Sequence, residues 1–247
     1  MRLTSRFTPV TPWLGLLLGL FVCSLPLMAM AVEFKPPRRG VPGRREGGGT
    51  RDPYACVQGN PARLMAIMPE TNLGLTNAAH PRFFWYSPKT RAKFAEFTLT
   101  KANEATPADK FPVFTTTFSI TGTPGVVSLS IPTLIPPLAV GQDYRWSLAL
   151  ICNPENRKQD IKVDGWIQRI APDADLAGKL AKATPGDRPL LYASSGVWFD
   201  TLTTLAELRC SNPQDAALVG SWAQLMQSVK LGTIADQPLV QQCGNQE

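Results

Sequence analysis

His80 is the sole histidine in the chain, and so its one ordinary candidate for a general base. It stands in Ala78-Ala79-His80-Pro81, a turn leading into an extended run. Proton transfer near neutral pH needs such a ring held against a reacting atom; this setting predicts a solvent-facing loop residue instead. Ser194-Ser195-Gly196 lacks the Gly-x-Ser-x-Gly elbow that lifts a nucleophile out of a strand-to-helix turn, so these serines read as structural. Asp160 and Asp164 are close enough in sequence to raise glycoside hydrolysis by paired carboxylates. Both flank one extended run beside Lys158 and Lys162, the pattern of solvated hairpin charges. No Asp-x-Asp-x-Asp-Gly run is present to hold calcium, and no Cys-x-x-Cys pair accompanies the lone histidine to hold zinc. The expectation is a chain with no catalytic residues, metal or cofactor.

Two stretches carry recognition chemistry instead. Phe83-Phe84-Trp85-Tyr86 places four aromatics in a row, and a strand must send two to each face. One pair is then either covered by the helical part of the chain or exposed as a strip for a glycan or protein ligand. The second stretch is basic. Between Glu33 and Asp52 lie Lys35, Arg38, Arg39, Arg44, Arg45 and Arg51, and of these Arg38, Arg39, Arg44 and Arg45 form the two paired-arginine sites suited to phosphate or carboxylate. Pro36-Pro37, Pro42-Gly43 and Gly47-Gly48-Gly49 interrupt it, and few apolar residues are present to offset the entropy of ordering. Residues 32–55 therefore read as a disordered arm: a linker, or a tether to anionic envelope polymer. Its glycines make no phosphate loop, since no Gly-Lys-Ser/Thr follows, and no aromatics are interleaved for nucleic acid.

The elements that would position these residues begin after an export signal. Arg2 and Arg6 precede an apolar run from Trp13 through Leu27, broken at Pro26 before Ala29-Met30-Ala31, which predicts a signal peptide over residues 1–31 cleaved after Ala31. The run is short for a membrane span, so a retained anchor is the weaker reading; Val22 before Cys23 argues against a lipoprotein. Cleavage removes two arginines and lowers the net charge from +6 to +4. Most of that charge resides in the arm, which excludes a basic nucleic-acid-binding body. Export also turns the remaining Cys56, Cys152, Cys210 and Cys243 into candidates for two disulfides, with three connectivities open.

Residues 56–171 show short β-branched and aromatic runs separated by Pro, Gly and Asn: 63–68, 83–86, 94–100, 113–120, 126–130, 144–152 and 161–170. About seven strands at this spacing predict an antiparallel β-sandwich. The clearest alternation puts Tyr144, Trp146, Leu148, Leu150 and Cys152 on one face, with Trp146 and Trp166 expected in the core. Leu138, Gly141 and Tyr144 are spaced like the tyrosine corner of immunoglobulin-like and fibronectin III-like sandwiches, where the phenol bonds an upstream backbone group. Residues 172–247 turn helical. Asp173 and Asp175 mark one start and Thr184-Pro185-Gly186 its stop; a hairpin spans 189–195 and 197–209 around Gly196, and a third helix spans 214–230. Tyr192, Gly196, Trp198, Leu205, Leu208 and Pro213 resemble one tetratricopeptide repeat, with Thr201 where that pattern prefers alanine. The fold class expected is thus α+β, a sandwich followed by a helical hairpin.

The strings Met68-Pro69-Glu70-Thr71-Asn72-Leu73-Gly74-Leu75-Thr76, Phe83-Phe84-Trp85-Tyr86, Gly122-Thr123-Pro124-Gly125, Asp164-Gly165-Trp166-Ile167 and Ala206-Glu207-Leu208 together resemble the cyanobacterial domain-of-unknown-function family 928. The resemblance covers nearly everything after the arm. It implies an exported protein with a Gly/Arg-rich arm and supplies no activity to transfer. The family's cysteines resemble Cys56 and Cys152, whereas a basic residue is expected at Cys210. The implied pairing is Cys56–Cys152 and Cys210–Cys243, each closing a long loop that chain entropy values at about 3–5 kcal/mol.

The functional expectation is an exported, non-catalytic binding or assembly module of the periplasm or cell envelope, partnered by an envelope protein or anionic envelope polymer, with no nucleic acid and no membrane span after cleavage. The competing class is an enzyme acting on envelope or exopolymer glycan. A third is a subunit of a secretion or surface-signalling assembly.

Overall fold

The computed structural model describes residues 32–47, 56–58, 63–102 and 111–240. The expected signal peptide, the second half of the arm and Cys243 lie outside these. The fold is α+β. In chain order the strands are β1 Val57–Gln58, β2 Met65–Ala66, β3 Leu73–Thr76, β4 Arg82–Ser87, β5 Lys89–Thr90, β6 Phe94–Lys101, β7 Phe114–Ser119, β8 Gly125–Ser130, β9 Asp143–Ile151 and β10 Ile161–Arg169. The helices are α1 Ala174–Leu180, α2 Arg188–Ser194, α3 Trp198–Ser211 and α4 Ala216–Ser228.

One sheet has the order β3-β10-β9-β6-β7, another β2-β4-β8, and β1 pairs with β5. All pairings are antiparallel except β3 with β10, which is parallel. That pair departs from the expected all-antiparallel arrangement: β3 and β10 are far apart in sequence, and only a long crossover can bring two strands together in parallel.

Period-2 alternation decides what enters the core. On β9, Tyr144, Trp146, Leu148 and Leu150 are buried while Arg145 is exposed. On β10, Ile161, Val163, Gly165 and Ile167 point inward, so Trp166 points out. Trp146 is fully buried as expected; Trp166 is not a core residue, because the phase set by its isoleucine and valine neighbours sends it to the opposite face. Gly165 pairs with Trp146 across the sheet. A side chain there would stand 2.8 Å from the Trp146 Nε1, so the glycine makes room for the indole. The β4 rings join the two larger sheets: Phe83 lies 4.9 Å from Phe97 on β6 and 5.5 Å from Trp146 on β9.

Sheets and helices share a single core rather than forming separate bodies. Phe199 of α3 reaches Phe83 at 5.3 Å, and the Trp198 indole N–H donates to the Ile67 carbonyl at 2.9 Å. α1 is capped by Asp173, whose carboxylate accepts from the Leu176 N–H, as its position before the helix requires. The α2–α3 hairpin turns at Gly196, with φ +74°, a conformation glycine adopts without strain. Thr201 is fully buried, and its hydroxyl donates to the Val197 carbonyl at 2.7 Å; this satisfies a polar group where a repeat would carry alanine. The Tyr144 hydroxyl accepts from the Ala139 N–H at 3.0 Å, the upstream bond expected of it.

The arm is corrected over residues 32–47. It is a strap laid on the domain. Val32 and Phe34 are buried, and Phe34 packs edge-on against Trp198 at 4.6 Å. Further along, Ala66 N–H donates to the Arg45 carbonyl and Gly47 N–H to the Leu64 carbonyl, both at 2.7 Å. Two apolar anchors and sheet-type bonds at the β2 edge hold a segment whose composition alone argued for mobility. The Cys56–Cys152 disulfide is present, with Cα atoms 5.4 Å apart and a sequence separation of 96. Cys210 is also disulfide-bonded.

Candidate functional site

The structure first removes several candidates. Phe83, Phe84, Trp85 and Tyr86 are 0, 0, 1 and 2% exposed, so both faces of β4 are covered and none of the four rings can meet a ligand. Asp160 and Asp164 are not a catalytic pair. Asp160 is held by Arg157 Nε at 2.7 Å, while Asp164 accepts from Arg145 at 2.6 Å and from the Arg44 backbone N–H at 2.7 Å. Their side chains are 0 and 14% exposed, so neither is the solvated hairpin charge expected from sequence. The Ser194 hydroxyl donates to the Leu191 carbonyl within its own helix.

The paired arginines divide by role. Arg39 meets Asp143 at 2.7 Å, and the Arg45 guanidinium donates to the Val229 carbonyl at 3.0 Å. That carbonyl lies just past the last turn of α4, where a cation is favoured by the aligned peptide dipoles. Arg38 and Arg44 remain exposed, and among the described residues their guanidinium groups take no partner. Trp166 is covered by the strap, its indole N–H donating to the Pro42 carbonyl at 2.8 Å.

What the fold brings together instead is a cleft of about 230 Å³ between α3 and the end of the three-stranded sheet, with Thr76, His80, Arg82, Tyr192, Asp200 and Glu207 among its lining. Thr76 ends β3 and His80 lies in the following loop. Arg82 opens β4 opposite Ser130, the last residue of β8. Tyr192 comes from α2. Along α3, Asp200, Thr203, Thr204 and Glu207 recur at intervals of three and four, one stripe of the helix, while Trp198, Phe199, Leu202 and Leu205 fill the core.

The polar groups are fixed before any ligand arrives. Asp200 Oδ2 accepts from the Thr76 hydroxyl at 2.7 Å and the Asn77 N–H at 3.1 Å. Burial raises the Asp200 pKa above the ordinary carboxylate value, and the bonds from Thr76 and Asn77 only partly oppose it. Burial also raises the Tyr192 phenol, with Asp200 adding to the effect. Arg82 Nε donates to the Ser130 hydroxyl at 3.0 Å, and its Nη1 stands 3.7 Å from Glu207. His80 Nε2 lies 2.8 Å from the Ile135 carbonyl; since a carbonyl only accepts, Nε2 carries the proton of this bond. The ring is half-buried and anchored, not the solvent-facing residue expected. Among the described residues the Tyr192 and Thr203 hydroxyls take no protein partner, so both are available to a guest.

Of this cleft the sequence pointed to His80 alone as a group for chemistry, and to Tyr192 only as a position of the repeat-like pattern. The detectable signal was the polar spacing Asp200, Thr203, Thr204, Glu207 on a helix whose other face carries Trp198, Phe199, Leu202 and Leu205. Among the described residues no group of His, Cys, Asp and Glu side chains is arranged to hold a metal ion, and no helix is long and apolar enough to cross a membrane. A family model described as Domain of Unknown Function (DUF928) matches residues 46–239. The chain matches no curated protein and no solved structure.

Proposed function

As the chain belongs to the family described as Domain of Unknown Function (DUF928), its functional reading comes from its own geometry, and we propose that it is an exported, non-catalytic binding module of the periplasm or cell envelope. In this reading an immunoglobulin- or fibronectin III-like sandwich carries a tetratricopeptide-like hairpin, and the cleft between them takes one unit of a hydroxyl-rich ligand such as an envelope glycan. The observation that carries it is the prior engagement of the cleft's polar groups. Asp200, Arg82 and His80 are each tied to the protein by hydrogen bonds, which makes them fixed recognition points. Two unpartnered hydroxyls, Tyr192 and Thr203, stand among them. Small polar guests are recognised by such a few convergent groups beside an aromatic face.

Export supports the reading through the signal-like N-terminus and the disulfides, which persist in oxidising compartments. The exposed Arg38 and Arg44 of the strap give it a point of attachment to anionic envelope polymer. Isothermal titration of the purified protein with neutral, acidic and amino-sugar oligosaccharides tests the proposal. Binding that is weakened by Tyr192→Phe and by Asp200→Asn is expected; silence across the panel sinks it.

The glycan-enzyme reading draws on Asp200 and Glu207, two carboxylates in one cleft. They stand two turns apart on one stripe of α3, and Asp200 is already tied to Thr76 and Asn77. Glu207 is also drawn toward Arg82. Release of reducing ends from a bound oligosaccharide, lost in Glu207→Gln, would favour the enzyme.

A further inference from the structure

The exposed borders of the two larger sheets are treated unequally. The β2 edge is closed by the strap, through the Arg45 and Gly47 backbone bonds and a bridge between Glu46 and Met65. The β8 edge is engaged at Val126 by the segment after α4: Val126 N–H donates to the Pro238 carbonyl and Val240 N–H to the Val126 carbonyl, both at 2.8 Å. β3 is only four residues long. β7 is different. It spans six residues, and among the described residues no segment bonds its outer edge. It contains no charge, no proline and no glycine, the usual devices that keep an edge from pairing with another chain.

The phase of that edge follows from its inner partner. Ile120 N–H donates to the Lys93 carbonyl at 3.0 Å, and Phe118, Thr116 and Phe114 lie opposite Ala95, Phe97 and Leu99. Bonded and non-bonded pairs alternate in an antiparallel ladder, so Phe114, Thr116 and Phe118 spend their backbone groups on β6. Thr115 and Thr117 turn theirs outward. The side chains follow: Thr115 and Thr117 are exposed, while Phe114 and Phe118 are half-buried against Phe97 at 6.2 Å and Trp85 at 6.1 Å.

Phe114-Thr115-Thr116-Thr117-Phe118 reads the same in both directions. We propose that β7 pairs antiparallel with β7 of a second copy of this chain about a two-fold axis at Thr116, joining two five-stranded sheets into one of ten strands. In that register Thr115 faces the second copy's Thr117 as a bonded pair, using the outward N–H and C=O groups of both. Phe114 faces Phe118, completing the cover of rings the monomer leaves half-exposed. The palindrome makes each contact self-complementary, as an isologous interface requires, and aromatic and threonine cross-strand pairs are favourable ones. The interface is independent of the cleft.

Sedimentation equilibrium of the purified protein tests it. A concentration-dependent dimer is expected. Thr115→Lys with Thr117→Lys sets lysine opposite lysine and raises the dimer Kd by about tenfold or more. Thr115→Lys with Thr117→Glu sets opposite charges across the same pairs and restores dimerisation. Thr116→Cys, on the axis at a close non-bonded pair, gives a covalent dimer on mild oxidation, whereas Lys182→Cys, exposed on the helical part, does not. A protein that stays monomeric, a dimer indifferent to the double lysine, or a dimer that Thr116→Cys fails to lock would each overturn the proposal.

Discussion

β4 and β7 are both six residues long, both carry two phenylalanines, and both face the same aromatic cluster, yet they do opposite work. β4 sits between β2 and β8 with its four consecutive rings buried on both faces. β7 borders its sheet with one face half-buried and the other open. The rings are similar; the position in the sheet differs. A central strand turns aromatic surface into core, and an edge strand keeps part of it available for association.

Breaking the comparison at its strong end, Trp85→Ala should destabilise the protein by about 3–5 kcal/mol, read from chemical denaturation. Phe118→Ala at the edge should cost roughly half as much in the same measurement, because less of its surface leaves water on folding; equal losses would show that β7 is as much core as β4. Tyr144→Phe probes a polar group held inside a central strand. Removing the hydroxyl takes away the partner of the Ala139 N–H and should cost about 0.5–1.5 kcal/mol, with a lower denaturation midpoint at an unchanged slope. At the weak end, Thr117→Lys should change monomer stability by no more than about 0.5 kcal/mol, so any larger effect would mean that the edge is covered.

Asp200 sharpens the contrast through pH. Its folded-state pKa lies above its unfolded value, so the folded state favours the protonated form. This contribution is full below the unfolded pKa and is lost as pH rises through the folded one. Asp200→Asn should therefore flatten the stability profile across the mildly acidic window just above the ordinary carboxylate pKa. Thermal melts of the two proteins over that range check it; superimposable profiles would mean that Asp200 titrates normally.

The sequence carried most of the frame because the frame is local. Each of the seven strands anticipated from alternation corresponds to a strand, and the helix signals at Asp173, Gly196 and Asn212 mark real ends. β3 escaped because Leu73-Gly74-Leu75-Thr76 is too short to show a period and owes its pairing to β10. The phase of Trp166 was readable from Ile161, Val163 and Ile167, yet tryptophan's usual preference for the core obscured it. The strap was misread for the opposite reason: composition sums over a segment, while two residues, Val32 and Phe34, suffice to fasten its start. The cleft draws on β3, the loop after it, β4, α2 and α3, an assembly that no local pattern announces beyond the polar stripe of α3.

The closure of β8 by Pro238–Val240 carries a consequence for how the molecule is made. A chain emerging from its N-terminus presents β4 and β8 long before the segment that seals them. Until those later residues arrive, the three-stranded sheet has an open flank at Val126, so this part of the fold waits for the segment after α4. Truncation before Pro238 would make the open flank permanent, and self-association through β8 would then be its signature.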